Sequence, residues 1–274
     1  MDGKIFYSME EGINFVKHGW FYLAYKNILF PIFIDIKDPN IDKYVIFVPG
    51  SMRRGKPLPI FQRSYFSKDI KANVISLADP TLFFRKNITM GWFCGDSKYH
   101  YASLIGRIMF LYFNKFNIKN VVVYGTSAGG IPSLHIANEL KNCICYIGNA
   151  QLNVFNYYEN HKQRLFENCF PGLTQDQIKA QYGKRLNLNG LSNQFILVAT
   201  QNICDMHHYE KHFLPFIQFF KKQNEAYFFT YKDEKSGHDV LPKETELSII
   251  EFLLKNEVAE VLYLLPDGSP KMVP

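Results

Sequence analysis

Short runs of β-branched and aromatic residues alternate along this sequence with longer segments of helical periodicity. Parallel strands need crossover connections of about a dozen residues or more, so this alternation is typical of a mostly parallel sheet with helices on both faces. The pattern predicts strands at 28–36, 43–48, 73–77, 120–124, 143–147, 195–200 and 226–232. It predicts helices at 101–116, 127–140, 206–223 and 242–254. The sequence therefore indicates an α/β fold.

The size and composition of the chain fit one globular domain. With 274 residues, 47% of them hydrophobic, residues 1–274 can bury a large core without a disulfide or a metal. Residues 151–192 form the one long insertion, which we expect to be helical and to lie where a lid would cover a site. The tail at 257–274 receives no role from its sequence.

Cysteine usage, hydropathy and charge restrict the setting in which the protein works. Five cysteines without a C-x-x-C pair indicate reduced thiols, and the N-terminus lacks the features of a signal peptide. No apolar run reaches the roughly 18 residues of a membrane span, so we expect a cytoplasmic protein without an integral membrane segment. A net charge of +6 is too mild and too dispersed for nucleic acid, but it favours anionic small molecules.

An apolar strand runs directly into a G-x-S-x-G motif at residues 121–130. In a nucleophile elbow the serine occupies a strained turn between a strand and a helix, and glycines on either side avoid collisions across that turn. Ser127 is therefore the candidate nucleophile, flanked by Gly125 and Gly129. The alternative is a tight or phosphate-holding glycine-rich turn, although no G-x-x-x-x-G-K-[ST] or G-x-G-x-x-G motif supports a nucleotide.

A serine nucleophile needs a base and an acid, and with this type of elbow they follow in the order Ser, Asp, His. His238 follows the last predicted strand in a loop that contains Gly237, and an exposed loop histidine is the alternative interpretation. Asp205 follows the preceding strand and would orient His238, although an aspartate there also suits the N-cap of the next helix. Asp233 and Asp239 are rivals with less favourable reach.

Two backbone N–H donors would stabilise the oxyanion that forms when an acyl group is attacked. Ala128 supplies the first donor, and either Ser51 or Met52, just after the strand at 43–48, supplies the second. The same loop continues into a cluster of cations, namely Arg53, Arg54, Lys56 and Arg63. These side chains either form a solvated face or bind a phosphorylated acyl donor or an anionic glycan.

Four segments carry a resemblance to a known superfamily. They are residues 124–130, 148–151, 205–208 and 236–239, which read YGTSAGG, GNAQ, DMHH and SGHD. Together they resemble the α/β-hydrolase superfamily and, within it, the bacterial O-acetyltransferases of this fold that modify capsular or other surface polysaccharides. The resemblance extends over residues 45–254, and the loop at 49–54 departs from the family's pattern.

The resemblance implies a single α/β-hydrolase-like domain with Ser127, Asp205 and His238 as a catalytic triad. It also implies acetyl-CoA as acyl donor, a sugar polymer as acceptor, and no metal or tightly bound cofactor. Gln151 and Trp92 are candidate contacts to donor or substrate. Further aromatic rings offer faces for sugars unless they pack in the core, namely Phe93, Tyr157 and Tyr158.

The predicted activity is therefore O-acetylation of a bacterial surface polysaccharide through an acyl-serine. Two alternatives stay open. One is a serine carboxylesterase or deacetylase that uses the same residues. The other is a catalytically silent glycan-binding or assembly module, in which Ser127→Ala would leave the function intact.

Overall fold

The structure is a computed structural model that describes residues 3–38, 40–52, 57–85, 87–188, 191, 194–220 and 225–270. Within these residues one sheet of ten strands forms the centre of the fold. The strands are β1 (Ile5–Phe6), β2 (His18–Tyr25), β3 (Ile28–Asp35), β4 (Lys43–Val48), β5 (Asn73–Leu77), β6 (Asn120–Thr126), β7 (Ile144–Gly148), β8 (Ile196–Asn202), β9 (Ala226–Tyr231) and β10 (Ser269–Pro270).

The strand order across the sheet is β1-β2-β3-β5-β4-β6-β7-β8-β9-β10. From β5 to β9 every neighbouring pair is parallel, so the carboxyl ends of these strands lie along one edge. The β2–β3, β3–β5 and β9–β10 pairs are antiparallel. The sheet is thus mixed but mostly parallel, as the sequence predicts.

Helices cover both faces of the sheet. They are α1 (Met9–Val16), α2 (Tyr101–Lys115), α3 (Gly130–Leu140), α4 (Glu159–Cys169), α5 (Gln175–Leu186), α6 (Met206–His208), α7 (Leu214–Phe220) and α8 (Lys243–Leu254). Alternate residues of β4 show the two layers: Ile46 packs in the core that contains α2 and α3, and Phe47 packs in the core that contains α8. Because both faces are buried, the central strands are nearly continuous apolar runs. The predicted α/β class is confirmed.

The strand β2 is missing from the sequence prediction, which begins the sheet at residue 28. In the structure β2 and β3 form a hairpin joined by Lys26 and Asn27, both with positive φ. Two consecutive residues with positive φ are the signature of the tight hairpin turn whose twist matches that of its strands. The sequence signal for this hairpin is the Lys26-Asn27 pair between two apolar runs, because Asn adopts positive φ more readily than most residues.

The helix predicted at 206–223 is interrupted in the structure. A π-helical turn at Tyr209–Phe213 separates α6 from α7, and residues 221–223 lie outside the described part. Pro215 has no N–H to donate to the carbonyl of Lys211, four residues earlier, and its ring would collide with that carbonyl in a regular helix. The Lys211 carbonyl instead accepts a hydrogen bond of 3.1 Å from the side chain of Asn156.

The insertion after β7 contains α4 and α5, as expected, and a capping box at Thr174 and Gln177 begins α5. Its use as a lid stays a prediction. The tail forms a 3-10 segment at Val258–Leu264, and β10 then pairs with β9. No helix in the described ranges is both long enough and apolar enough to cross a membrane.

Candidate active site

Ser127 lies in the turn between β6 and α3 with a φ of +53°. A serine in this left-handed region is strained, which the surrounding structure must overcome. The glycines of the motif make the turn possible. A Cβ on Gly125 would lie 2.1 Å from the Ser133 Oγ, and a Cβ on Gly129 would lie 2.7 Å from the carbonyl oxygen of Val48. The G-x-S-x-G spacing is therefore required by close backbone packing.

The structure brings Ser127, His238 and Asp205 together as a hydrogen-bonded chain. The Ser127 Oγ lies 2.9 Å from the His238 Nε2, and the His238 Nδ1 lies 2.5 Å from the Asp205 Oδ2. The serine can therefore give its proton to an imidazole whose other nitrogen is held by a carboxylate, which is the arrangement that activates a hydroxyl.

Asp205 fills both of the roles that its position in the sequence allows. It caps the turn that follows β8, because its side chain accepts from the backbone N–H of His208 at 3.4 Å. Its carboxylate also accepts from the rings of His208 and His238. Burial opposes ionisation, but these hydrogen bonds outweigh burial and hold the pKa of Asp205 well below its ordinary value. The acid is ionised at neutral pH.

Neither rival aspartate approaches the imidazole through a described contact. Asp233 uses its side chain to accept the backbone N–H groups of Lys235 and Ser236 in its own loop. Asp239 donates its backbone N–H to the carbonyl of Ser236, and no hydrogen bond to His238 is found in the described part of the chain. Asp205 is therefore the carboxylate that orients His238.

Two asparagines to which the sequence interpretation assigned no role hold the His238 loop. The side-chain N–H groups of Asn202 donate to the carbonyls of Asp233 and Gly237 at 2.7 and 2.9 Å. The side chain of Asn149 donates to the carbonyl of Asp239 at 3.3 Å. Both asparagines are buried at the carboxyl edge of the sheet, so they fix where the loop returns over the nucleophile. The sequence signal for both is an asparagine at the end of a predicted apolar strand.

In the loop after β4, one of the two predicted second oxyanion donors has a free N–H among the described residues, and the N–H of the other is already bonded. The prediction of Met52 as a donor is corrected, because its backbone N–H already donates to the carbonyl of Thr89 at 2.9 Å and its side chain is buried. The N–H of Ser51 has no partner among the residues that the structure describes. Gln62 fixes this loop, because its side chain accepts the Gly50 N–H at 2.8 Å and donates to the Ser51 carbonyl at 2.9 Å.

Gln151 contacts Ser127, the candidate nucleophile, directly. Its Nε2 donates to the Ser127 Oγ at 3.2 Å, while its Oε1 accepts from the Trp92 Nε1 at 2.8 Å. The indole therefore fixes the amide with its N–H groups towards the serine. The prediction that Trp92 offers a ring face to sugars is wrong, because only 2% of its surface is exposed and its ring packs in the core.

The remaining residues predicted to contact donor or substrate lie in different surroundings. Arg53, Arg54 and Lys56 lie outside the described residues. Arg63 does not belong to a docking surface, because it is buried and its guanidinium pairs with Glu246 at 2.6 Å. Among the other aromatic residues, Phe93 and Tyr157 pack in or against the core, and Tyr158 is half exposed and stacks on His207 at 4.3 Å.

No family model matches the chain, and no curated protein matches its sequence. Solved structures do match. The capsule O-acetyltransferase of Neisseria meningitidis serogroup A has a TM-score of 0.61 at 14% identity, over 85% of this chain and 96% of that chain. The chain has an α/β-hydrolase-like fold. Acetyl xylan esterase 1 from Thermoanaerobacterium sp. JW/SL YS485 has a TM-score of 0.56 at 14% identity, over 86% and 81% of the two chains.

A histidine-to-alanine mutant of the Neisseria enzyme, solved in complex with CoA, has a TM-score of 0.56 at 12% identity, over 85% of this chain and 95% of that chain. At these identities the likeness shows the α/β-hydrolase-like fold. The same fold therefore supports an acetyltransferase in one neighbour and an esterase in another. Which chemistry this chain performs must be argued from its own site.

Proposed function

We propose that the protein is a serine-dependent acyltransferase that moves an acetyl group from acetyl-CoA to a hydroxyl of a bacterial surface polysaccharide. The observation that carries the proposal is the hydrogen-bonded chain from the Ser127 Oγ through His238 to Asp205 on a nucleophile elbow. A complete serine, histidine and ionised carboxylate in this order serve acyl transfer, and a binding module has no need of them.

The first half-reaction forms an acyl-serine. His238 accepts the Ser127 proton at Nε2 while the Oγ attacks the thioester carbonyl, and Asp205 stabilises the imidazolium. The carbonyl π electrons move to the oxygen, which then accepts hydrogen bonds from the N–H groups of Ala128 and Ser51. When the carbonyl re-forms, the C–S bond breaks, and the thiolate of CoA takes the proton from His238.

The second half-reaction releases the acetyl group. His238 removes the proton of a sugar hydroxyl whose oxygen attacks the acetyl carbonyl, and it returns that proton to the Ser127 Oγ when the ester breaks. Water in place of the sugar gives hydrolysis by the same steps. Exclusion of water therefore decides between transfer and hydrolysis, and the insertion at 151–192 is the segment we propose to provide it.

Gln151 has a place in both half-reactions. Its amide is 3.2 Å from the Oγ in the free protein, and the indole of Trp92 prevents the amide from turning its oxygen to the site. A donor this close to the nucleophile can also reach the oxyanion, whose oxygen is bonded to the carbon that the Oγ attacks. We propose that Gln151 is an additional donor beside Ala128 and Ser51.

The choice of donor and acceptor rests on the structural neighbours. A capsule O-acetyltransferase of this fold has been solved with CoA, which supports acetyl-CoA as donor and a polysaccharide as acceptor. Arg53, Arg54 and Lys56 follow Ser51 in the sequence and are proposed to contact the phosphates of CoA, because cationic side chains suit that group. The second candidate is an esterase, which the acetyl xylan esterase neighbour favours.

Intact-protein mass spectrometry after brief incubation with acetyl-CoA tests the proposal. We expect a mass gain of one acetyl group that is absent in Ser127→Ala and present in Ser248→Ala, a matched change at a partly buried serine in α8 whose Oγ donates to the backbone carbonyl of Glu244. A parallel incubation with a fluorophosphonate probe reports serine reactivity without the donor. Probe labelling without acetylation would support the esterase, and no labelling by either reagent would refute an active serine.

A further inference from the structure

His208 lies directly against the imidazole of His238. The two rings stack with their centroids 3.9 Å apart and their planes within 17°. Both rings use Nδ1 to contact the carboxylate of Asp205, at 2.9 Å for His208 and 2.5 Å for His238. A single carboxylate therefore serves two parallel imidazoles, of which only one contacts the nucleophile.

The surroundings of His208 keep its ring neutral. Burial lowers its pKa, and the nearby His238 acts in the same direction, while the hydrogen bond to Asp205 opposes them without reversing the shift. Its Nε2 is buried and has no hydrogen-bond partner in the part of the chain that the structure describes, so a second proton there would be unpartnered. The titratable groups that face the ring are Asp205, His207, His212, Tyr157 and His238.

A neutral His208 bound through Nδ1 has two consequences for the triad. Its N–H shares the Asp205 carboxylate with His238, so removal of that N–H would leave the whole carboxylate to His238. Its ring also fixes the plane of the His238 imidazole, because a flat neighbour at 3.9 Å prevents the ring from tilting on that side.

We propose that His208 is a positioning residue of the triad, which shares Asp205 with His238 and supports the His238 ring by stacking. The proposal rests on the proposed role of Ser127 and His238, and it deepens that role by assigning the neighbour that holds the His238 ring and shares its carboxylate. His208 touches neither the nucleophile nor an acyl group and acts only through Asp205 and His238.

The same three side chains also resemble a metal-ligand set, since one oxygen of Asp205 and one nitrogen from each of His208 and His238 lie within 4.8 Å of one another. The stacking argues against a bound ion. An ion in the plane of one imidazole would lie far above the plane of the other, and nitrogen lone pairs point within the ring plane. Both rings would have to turn, which would also break the contact to Ser127.

Two substitutions separate the roles of His208. His208→Phe keeps a flat ring against His238 but removes the N–H to Asp205. His208→Asn keeps an N–H close to the position of Nδ1 but removes the ring. His207→Phe is the matched control, because the neighbouring imidazole stacks on Tyr158 and makes no described contact with Asp205.

The first readout is the pH dependence of fluorophosphonate labelling at Ser127, measured with EDTA present. We expect His208→Phe to move the acid limb to higher pH by about one unit, the effect of losing one hydrogen bond to a charged group. We expect His208→Asn to keep the acid limb and to lower the plateau rate about tenfold, through loss of ring orientation. His207→Phe should follow the wild type in both respects.

The second readout is an NMR titration of the His238 ring proton, which needs no activity. The midpoint should rise in His208→Phe by the same amount as the acid limb. If Ser127 is not labelled in the wild type, the proposed function fails while the titration still tests the shared carboxylate. Coincident midpoints in the wild type and His208→Phe would overturn the inference, as would a His208→Asn variant with unchanged plateau rate and shifted acid limb.

Discussion

The buried pair of Arg63 and Glu246 connects three parts of the site. The guanidinium contacts both carboxylate oxygens through its Nε and Nη2 atoms, at distances from 2.6 to 3.2 Å. The same Nη2 donates to the Oγ1 of Thr126, the residue before the nucleophile, at 3.0 Å. Tyr124 donates its hydroxyl to Glu246 at 3.0 Å. The pair thus joins the loop after β4, the elbow and α8.

Arg63→Met should destabilise the protein strongly, because it leaves the Glu246 carboxylate buried without its cation. The side chains of the pair are only 8% and 3% exposed, so solvent cannot replace the lost partner. Removal of one member of such a pair costs about 3–5 kcal/mol. For a chain of this size that loss corresponds to a decrease in Tm of about 10 °C.

The double variant Arg63→Met with Glu246→Leu separates the charge from the packing. It should lose only about 1–2 kcal/mol, the cost of leaving the Tyr124 hydroxyl without its acceptor. Guanidinium unfolding of the wild type, both single variants and the double variant gives the coupling energy. Additive losses, or an Arg63→Met variant within about 1 kcal/mol of the wild type, would refute the view that Glu246 depends on Arg63 for its charge balance.

Three further perturbations test the site and its surroundings. Gly129→Ala forces a Cβ to within 2.7 Å of the Val48 carbonyl, so fluorophosphonate labelling should fall at least about 100-fold; unchanged labelling would contradict the steric account of the elbow. Trp92→Phe removes the N–H that orients Gln151 and leaves a cavity where the buried indole packs, so we expect labelling about tenfold slower together with a lower Tm. Burial lowers the pKa of His135 from 6.5 to about 4. Between pH 6.5 and about 4 His135 is protonated in the unfolded chain but not in the folded one, so the free energy of unfolding falls by about 3 kcal/mol as the pH is lowered. Urea unfolding of His135→Leu should therefore show a flatter pH dependence.

The central strands could be predicted because burial on both faces leaves them almost purely apolar. β4 and β5 match the predicted bounds, and β6 to β9 differ from them by one or two residues. β2 lies near the edge of the sheet and is only partly buried, and its sequence HGWFYLAY is rich in the aromatic residues that favour strands, so a strand signal is present although the prediction begins the sheet at residue 28. The π-helical turn before α7 depends on Pro215, but its exact form depends on the donor that the freed Lys211 carbonyl finds, which here is the side chain of Asn156.

The predicted site residues differ in how much their role depends on partners distant in sequence. Ser127 is marked by its own neighbours, since the glycines beside it are required by the turn. Arg63 instead pairs with a glutamate 183 residues away, and a count of charges cannot reveal that partner. Trp92 likewise donates to a residue distant in sequence, Gln151. The sequence around an aromatic residue does not show whether its ring face is exposed or packed.

The site residues are held by the register of the parallel strands. Val48 pairs with Gly125, Gly125 with Ile147, and Gly148 with Thr200, so the ends of β4, β6, β7 and β8 are fixed relative to one another. A shift of one residue in any of these strands would turn its side chains to the other face and move its loop. Candidate groups follow the ends of successive strands, namely Ser51, Ser127, Gln151, Asp205 and His238.

Because the sheet sets these positions, substitutions in the loops themselves should change serine reactivity more than they change stability. The elbow glycines are the expected exception, since their backbone is packed against β4. The pair of Arg63 and Glu246 is another exception, because it lies beneath the elbow and binds the loop, the nucleophile strand and α8 at once. Loss of this pair should therefore lower stability and serine reactivity together, whereas loss of the His208 hydrogen bond should alter reactivity alone. Variants of the Arg63 and Glu246 pair therefore test the packing that positions Ser127, Asp205 and His238. Variants of His208 test the hydrogen bond and the ring stacking beside them.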